Sequence, residues 1–285
     1  VIYIGDDLIE QIIREDAPSL DLTTWTLGLR DQPGRLRYVS REDIVICGTE
    51  ETARICARLG VQVVACPPSG TRGGPGTVLL EATGDVAALH VAWRACLKVL
   101  ESCSGIATRT ARLVAAARSV NPTVEVLTTC KHFPGAKDLS IKAITVGGAL
   151  PHRLGLSETL LVFDQHRLFC GGLEMFLGRI KDLRDRVPEK RLMVEVVSLA
   201  EAKAVAGAGA DGIQFDKVPP EELDTWVPQL RAAHPGLVLL AAGGVTEAKA
   251  AAYAATGVNG LVTSAVYFGR PADLQTRITP TDAVA

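Results

Sequence analysis

The stretch LMVEVVSLAEAKAVAGAGADGIQFD, residues 192–216, decides the fold. An apolar run at 192–197 precedes a helical pattern at 199–206, and a second apolar run follows at 212–215. Strand, helix, strand at so short a spacing means two parallel strands joined by a crossover helix. The alternation extends both ways. Further strand candidates are 124–128, 160–163, 237–241 and 260–263, separated by helical patterns at 138–146, 173–187, 220–233 and 246–255. Six or seven units of this kind predict an α/β barrel short of the usual eight strands. A doubly wound open sheet is the alternative.

Upstream the pattern is mixed. Asp7 opens a helix, with Glu10 placed three residues on as in a capping box, and Leu8, Ile9, Ile12 and Ile13 form its apolar stripe. Residues 36–40, 44–47, 61–66 and 77–82 read as strands of an antiparallel sheet. The Pro- and Gly-rich 67–76 is a surface connection, and Thr49 caps a short helix that Gly60 ends. Residues 85–119 are helical, with Gly105 expected to divide the helix and Asn121-Pro122 to stop it. Residues 276–285 read as a loose tail.

The 285 residues suit one large domain or two unequal ones, and 47% apolar content supplies a core. A net charge of -2 with no basic stripe argues against nucleic acid. No apolar run is long enough for a bilayer, so no membrane association is expected. Residues 1–15 read as an acidic amphipathic stretch and not as a signal peptide. Seven cysteines without a CxxC pair fit reduced thiols in the cytoplasm, most of them small buried hydrophobes.

In barrels, chemistry sits where strands end. Gly243-Gly244 follows a strand and opens a helix, where bare N–H groups bind phosphate, although a plain tight turn reads equally well. Thr263-Ser264, at the end of the next strand, favours the phosphate reading. Glu195 and Asp216 end neighbouring strands and could share one Mg²⁺ or simply be paired or capping acids. Lys131, His152, Arg153 and, on the preceding helix, Arg94 are cations that could clamp a diphosphate or carboxylate. The other histidines lack zinc-ligand spacing, and no GxSxG or Walker sequence occurs.

These residues, in order, resemble the quinolinate phosphoribosyltransferase family. Glu15-Asp16 with Asp21-Leu22-Thr23-Thr24 resembles its N-terminal signature, and Ser104-Gly105-Ile106-Ala107-Thr108 its helix-break motif. Thr129-Cys130-Lys131-His132-Phe133-Pro134-Gly135 is similar to its Thr-Arg-Lys-Thr-Thr-Pro-Gly loop. Gly147-Gly148 with His152-Arg153-Leu154-Gly155-Leu156, then Phe163-Asp164-Gln165-His166, Glu195, Asp216 and Ala242-Gly243-Gly244-Val245 continue the series. The resemblance implies an N-terminal α/β sandwich domain, taken as residues 1–110, and an open α/β barrel of about seven strands over 111–270, with 271–285 as a tail. It implies a homodimer in which one subunit's N-terminal domain closes over the partner's barrel. It also implies transfer of phosphoribosyl from phosphoribosyl pyrophosphate to a nitrogen heterocycle with Mg²⁺. Lys131 then stands near the leaving diphosphate, and Glu195 and Asp216 near the ribose and metal. Gly243 and Gly244 face the 5′-phosphate, and Arg94 (from the neighbouring subunit), His152 and Arg153 face the acceptor's carboxylates.

Two departures bear on the acceptor. Cys130 stands where the family has Arg, and Phe163 where it has Lys. Losing two charge-assisted hydrogen bonds costs roughly 3–6 kcal/mol, about 10²- to 10⁴-fold in binding. Without compensation from His132, Lys142 or Arg167, a non-quinolinate acceptor is expected. The same substitutions resemble the family's ModD branch, which occurs with molybdate-transport genes. Cys130 itself has three readings: space-filler, soft contact to the acceptor, or nucleophile. Three other functions remain open: a true quinolinate enzyme, a non-catalytic molybdate or anion binder, and a barrel aldolase or isomerase. Retention of Lys131, Glu195 and Asp216 argues against the binder, and the absence of lysine from the barrel strands against an aldolase. The phosphoribosyl reading requires Lys131, Glu195, Asp216 and Gly243 to face one cavity.

Overall fold

A computed structural model describes residues 2–281. The chain divides into two units. The first takes the residues up to Ala111, then Phe133–Gly147, then those from Gly269 onward; the second takes Arg112–His132 and Gly148–Phe268.

The first unit is built on a four-stranded antiparallel sheet. Its order is Leu274–Pro280, Pro33–Ser40, Val78–Asp85 and Gln62–Ala65. In Pro33–Ser40 the side chains alternate faces. Leu36 and Tyr38 are fully buried, while Arg35 and Arg37 turn outward to Glu81, at 3.1 and 3.4 Å. The Tyr38 hydroxyl donates to the Trp93 carbonyl at 2.8 Å, and the buried Ser40 hydroxyl donates to the Glu42 carbonyl at 2.6 Å, so both buried polar side chains are satisfied. Ile9, Ile12, Ile55, Leu79, Leu89 and the thiols of Cys47, Cys56, Cys96 and Cys103 fill the core. The expected short strand at 44–47 is the two-residue Ile44–Val45, paired with Arg72–Gly73 inside the Pro- and Gly-rich connection.

Several expectations are corrected here, beginning with Thr49, which is the first residue of the helix Thr49–Arg58 and does not cap it; the cap is Gly48, with no side-chain hydrogen bond. The first helix, Asp6–Asp16, is capped at Gly5 without a side-chain hydrogen bond, so Asp7 lies inside it and does not cap it. The long helix, Val86–Arg118, runs 33 residues without a break at Gly105. Gly105 serves close approach: a Cβ there would lie 3.0 Å from the Ala272 nitrogen and 3.3 Å from the Arg270 carbonyl. The expected tail is a strand, Leu274–Pro280, pairing with Pro33–Ser40 in the register Leu36 to Ile278. Its alternation of Leu274, Thr276 and Ile278 with Gln275, Arg277 and Thr279 suits an edge strand, and Pro280 closes it. The last residues assigned to the tail, 282–285, lie outside the described residues.

The helix Lys137–Val146 packs with the first unit through Leu139, Ala143 and Val146. Lys142 explains part of that choice. Its Nζ lies 2.5 Å from Glu51, whose side chain is 4% exposed, and 2.7 Å from Glu50.

The second unit is a seven-stranded, all-parallel sheet. Its order is Leu150–Pro151, Glu125–Thr128, Gly260–Thr263, Val238–Ala242, Gly212–Asp216, Leu192–Val196 and Leu160–Val162. This is sequence order taken in a circle and cut once, between Leu150–Pro151 and Leu160–Val162. The barrel is therefore open at that seam. The helices Leu199–Gly207, Pro220–Ala233 and Glu247–Ala255 make the crossovers, while the expected 173–187 helix is two, Leu173–Leu177 and Ile180–Arg186, parted at Gly178. Among the described residues no helix is long and apolar enough to cross a membrane.

The Lys142 cluster generates a stability prediction. Removing Lys142 leaves the Glu51 carboxylate buried without a partner, so K142A should cost about 3 kcal/mol in denaturant unfolding. Burial raises the Glu50 pKa, but hydrogen bonds from Lys142 and Ser69 outweigh it and hold the carboxyl at about 2. A lowered carboxyl pKa contributes stability above the ordinary value of 4.5, and that stability is lost as pH falls towards 2. Unfolding midpoints of wild type and E50Q should therefore differ at pH 6 and converge near pH 2; parallel curves would refute the assignment.

Candidate active site

The parallel register sends every barrel strand out at the same end, and the residues beyond those ends enclose one cavity of about 520 Å³. Cys130 and Lys131 follow Glu125–Thr128, and His152 and Arg153 follow Leu150–Pro151. Phe163 follows Leu160–Val162, Glu195 is the last but one residue of Leu192–Val196, Asp216 ends Gly212–Asp216, Gly243 and Gly244 follow Val238–Ala242, and Thr263 ends Gly260–Thr263 with Ser264 next to it. The structure thus brings together all the expected site residues except Arg94. Arg94 lines a separate cavity of about 370 Å³ in the first unit, beside Asp21, Thr24 and His90, with its guanidinium 5.4 Å from the Trp93 ring centroid.

The loop after Val238–Ala242 is shaped by its glycines. Gly243 and Gly244 both lie in the left-handed region, at φ 79° and 82°, which bares consecutive N–H groups before the helix Glu247–Ala255. A Cβ on Gly243 would meet Lys217 Cγ at 2.5 Å and Asp216 Oδ1 at 2.7 Å. Thr263 is tied down: its hydroxyl donates to the Val245 carbonyl at 2.7 Å and accepts from the Ala265 N–H at 3.0 Å. It clasps the two loops together, while Ser264 lines the cavity beside it.

The acids occupy neighbouring strands. Glu195 stands opposite Gln214 in the register, and Gln214 Nε2 donates to Glu195 Oε2 at 2.8 Å. Burial raises the Glu195 pKa, and the negative charge of Asp216 adds to the rise, against the hydrogen bond from Gln214. Lys217 Nζ is 3.8 Å from Asp216 Oδ2, and Lys217 holds φ 57°, one of two non-glycine residues at positive φ among those described. Such strain gathers at functional sites. Among the described residues no group of three or more metal-ligating side chains occurs.

At the seam, Arg153 and Phe163 leave the two unpaired edge strands, yet the Arg153 guanidinium lies 5.9 Å from the Phe163 ring centroid. His166 stacks on Phe163 at 5.7 Å and accepts the Phe163 N–H through Nδ1 at 3.0 Å, which places its own proton on Nε2. Burial lowers the His152 pKa, and adjacent Arg153 lowers it further, so the imidazole is neutral at pH 7. Cys130 is an exposed free thiol on the rim. Of the three residues expected to offset Cys130 and Phe163, Lys142 is held by Glu50 and Glu51. Arg167 is buried between Asp164 and Glu201, and His132 packs edge-on against Tyr267. Neither His132 nor Arg167 lines the cavity.

Sequence reasoning missed Gln214 and Lys217. Gln214 carried a signal: it is the polar residue amid Gly212, Ile213 and Phe215, two before Asp216 and so on the same face. Lys217 carried none, since its left-handed backbone is visible only in three dimensions.

Family models for the quinolinate phosphoribosyl transferase N-terminal and C-terminal domains match residues 21–104 and 106–276. The chain belongs to the quinolinate phosphoribosyl transferase family. It is accordingly an enzyme of the phosphoribosyltransferase, or pentosyltransferase, type. It is 42% identical over 248 residues to the "Putative pyrophosphorylase ModD" of Rhodobacter capsulatus, covering 87% of this chain and 95% of that one. It is 32% identical over 239 residues to the human nicotinate-nucleotide pyrophosphorylase (carboxylating), covering 84% and 79%. The crystal structure of NadC from Streptococcus pyogenes superposes with a TM-score of 0.86 at 25% identity, covering 97% of each chain. Within this family the present chain is a ModD-like pyrophosphorylase.

Because the Glu195 pKa is raised, its ionised form opposes folding above that pKa, and the penalty vanishes as pH falls below the ordinary value of 4.5. E195Q should therefore melt higher than wild type at pH 7 and together with it near pH 4. A lower melting temperature for E195Q at pH 7 would contradict the burial argument.

Proposed function

We propose that the enzyme transfers the phosphoribosyl group of phosphoribosyl pyrophosphate to the ring nitrogen of an acceptor other than quinolinate, releasing diphosphate. The carrying observation is that Lys131, Glu195, Asp216, Gly243, Gly244 and Ser264 face one cavity. Simple oxyanion binding needs no carboxylates; a pentose with phosphate at one end and diphosphate at the other needs both kinds of group.

The bond from ribose C1 to the diphosphate oxygen breaks as the acceptor nitrogen bonds to C1 through a cation-like transition state. Lys131 neutralises the departing diphosphate. Glu195 and Asp216 hold ribose hydroxyls and stabilise positive charge at the ring. The N–H groups at Gly243 and Gly244 hold the 5′-phosphate.

Two neighbouring carboxylates without a third ligand fit Mg²⁺, which is typically held by one or two carboxylates plus substrate phosphates and water. Glu195 and Asp216 would hold it, and it would supply charge neutralisation at the diphosphate.

Cys130, Phe163 and Leu161 make the acceptor end of the cavity poorer in charge than a dicarboxylate requires, which supports an acceptor other than quinolinate. Likeness to the carboxylating nicotinate-nucleotide pyrophosphorylases keeps quinolinate as the second reading. We place Arg94 at the acceptor only within a homodimer. Exposed Leu20, Leu22, Trp25 and Leu27 near its cavity support burial against a second copy. The likeness to ModD supports a place in molybdenum metabolism.

Isothermal titration of phosphoribosyl pyrophosphate with Mg²⁺ tests the reading. Wild type should bind, and K131A should lose about tenfold or more, the worth of one charge-assisted contact. No heat from either protein up to millimolar ligand would remove the proposal.

A further inference from the structure

Gln214 is 5% exposed and lines the cavity, yet its Oε1 has no hydrogen-bond partner, while its Nε2 donates to Glu195 at 2.8 Å. A buried amide oxygen left open is rare and calls for a donor. Its neighbours across the ladder supply none. The register partners of Gln214 are Glu195 on one side and Leu240 on the other. An ionised carboxylate only accepts. Leu240 belongs to an apolar cluster with Leu161, Met193 and Val262, of which Leu161 and Val262 also line the cavity. The missing donor therefore belongs to what the cavity holds.

The surrounding chemistry says what kind of donor fits. Gln214 shares its strand face with Asp216, two residues on, and stands opposite Glu195. The three side chains make a row of acceptors, two carboxylates and an amide oxygen, on one wall. An amide adds an acceptor there without setting a third negative charge beside the two acids. Such a row suits a ligand that presents O–H donors side by side, as the vicinal hydroxyls of a pentose do.

We infer that Gln214 Oε1 accepts one ring hydroxyl of the pentose while Glu195 accepts the neighbouring one, which makes Gln214 a specificity residue for ribose. This rests on the phosphoribosyl-transfer reading and deepens it at the donor. With Nε2 spent on Glu195, the amide oxygen cannot also face that carboxylate, so the two groups present separate acceptors. Oε1 is closed to solvent in the free chain, and the hydroxyl reaches it through a small shift of the side chain, an adjustment common on binding.

Titrations of ribose 5-phosphate, 2-deoxyribose 5-phosphate and 3-deoxyribose 5-phosphate into the full chain, with magnesium diphosphate present, decide it. Wild type should bind each deoxy sugar about tenfold more weakly than ribose 5-phosphate, the worth of one hydrogen bond to a buried acceptor. Q214L should no longer distinguish ribose 5-phosphate from one of the two deoxy sugars and should keep its preference over the other. Q214M, closer in length to the native side chain, should behave as Q214L does and keeps the test decisive if leucine disturbs the strand. Wild type binding all three sugars alike would exclude the contact. A trapped water is the other donor small enough for Oε1; both preferences would then survive in both variants, which excludes the contact equally. Loss of both preferences together would mean that Gln214 acts only by holding Glu195, and would also overturn the inference. No binding of ribose 5-phosphate to wild type would strike the phosphoribosyl-transfer reading instead.

Discussion

Parallel register between barrel strands is the constraint on which the site depends. Gln214 faces Glu195, Asp216 faces Ala242, and Thr263 faces Thr128, each through a ladder of slanted backbone hydrogen bonds. A slip of one residue in any pair would turn Glu195 or Gln214 from the cavity to the helix-covered side. Backbone bonds beyond the strand ends extend the control: His152 N–H to Thr128, Thr129 N–H to Thr263, and Lys217 N–H to Ala242. The loops carrying the chemistry are thus held by sheet geometry and not by their own sequences.

The open seam adds a second constraint. With two edge strands unpaired, the rim there is shaped by side chains, and Arg153 against Phe163 is the contact that spans it. The glycine end is different in kind. There the glycines at 243 and 244 and the Thr263 clasp fix bare backbone, which is suited to an anion by shape and dipole. One end of the cavity is set by backbone and resists change by substitution. The other is set by side chains and can change with few mutations, in keeping with Cys130 and Phe163 standing where the family resemblance leads one to expect charge.

Much of this was legible in the sequence, because strand–helix alternation and the glycine pair carry strong local signals. The six strand candidates of the barrel fall on observed strands, and the seventh, Leu150–Pro151, is only two residues long and too short for any periodicity to show. Gly105 misled because a helix-kinking residue and a close-packing residue look the same in one dimension; the Ala272 backbone that decides between them lies far along the chain. The terminal strand was missed because edge strands are short and polar on one face, as tails are. Gln214 was legible only as an anomaly, since its meaning depends on the neighbour across the ladder.

That terminal strand carries a consequence for biogenesis. Leu274–Pro280 occupies the edge next to Pro33–Ser40, so the sheet that starts first is finished last. Between those two strands the ribosome must emit the whole barrel. Until then, Pro33–Ser40 presents one unsatisfied row of backbone donors and acceptors, a template for stray pairing. The two units therefore cannot mature in simple order of synthesis; the inserted barrel is complete while its host still waits for a closing strand.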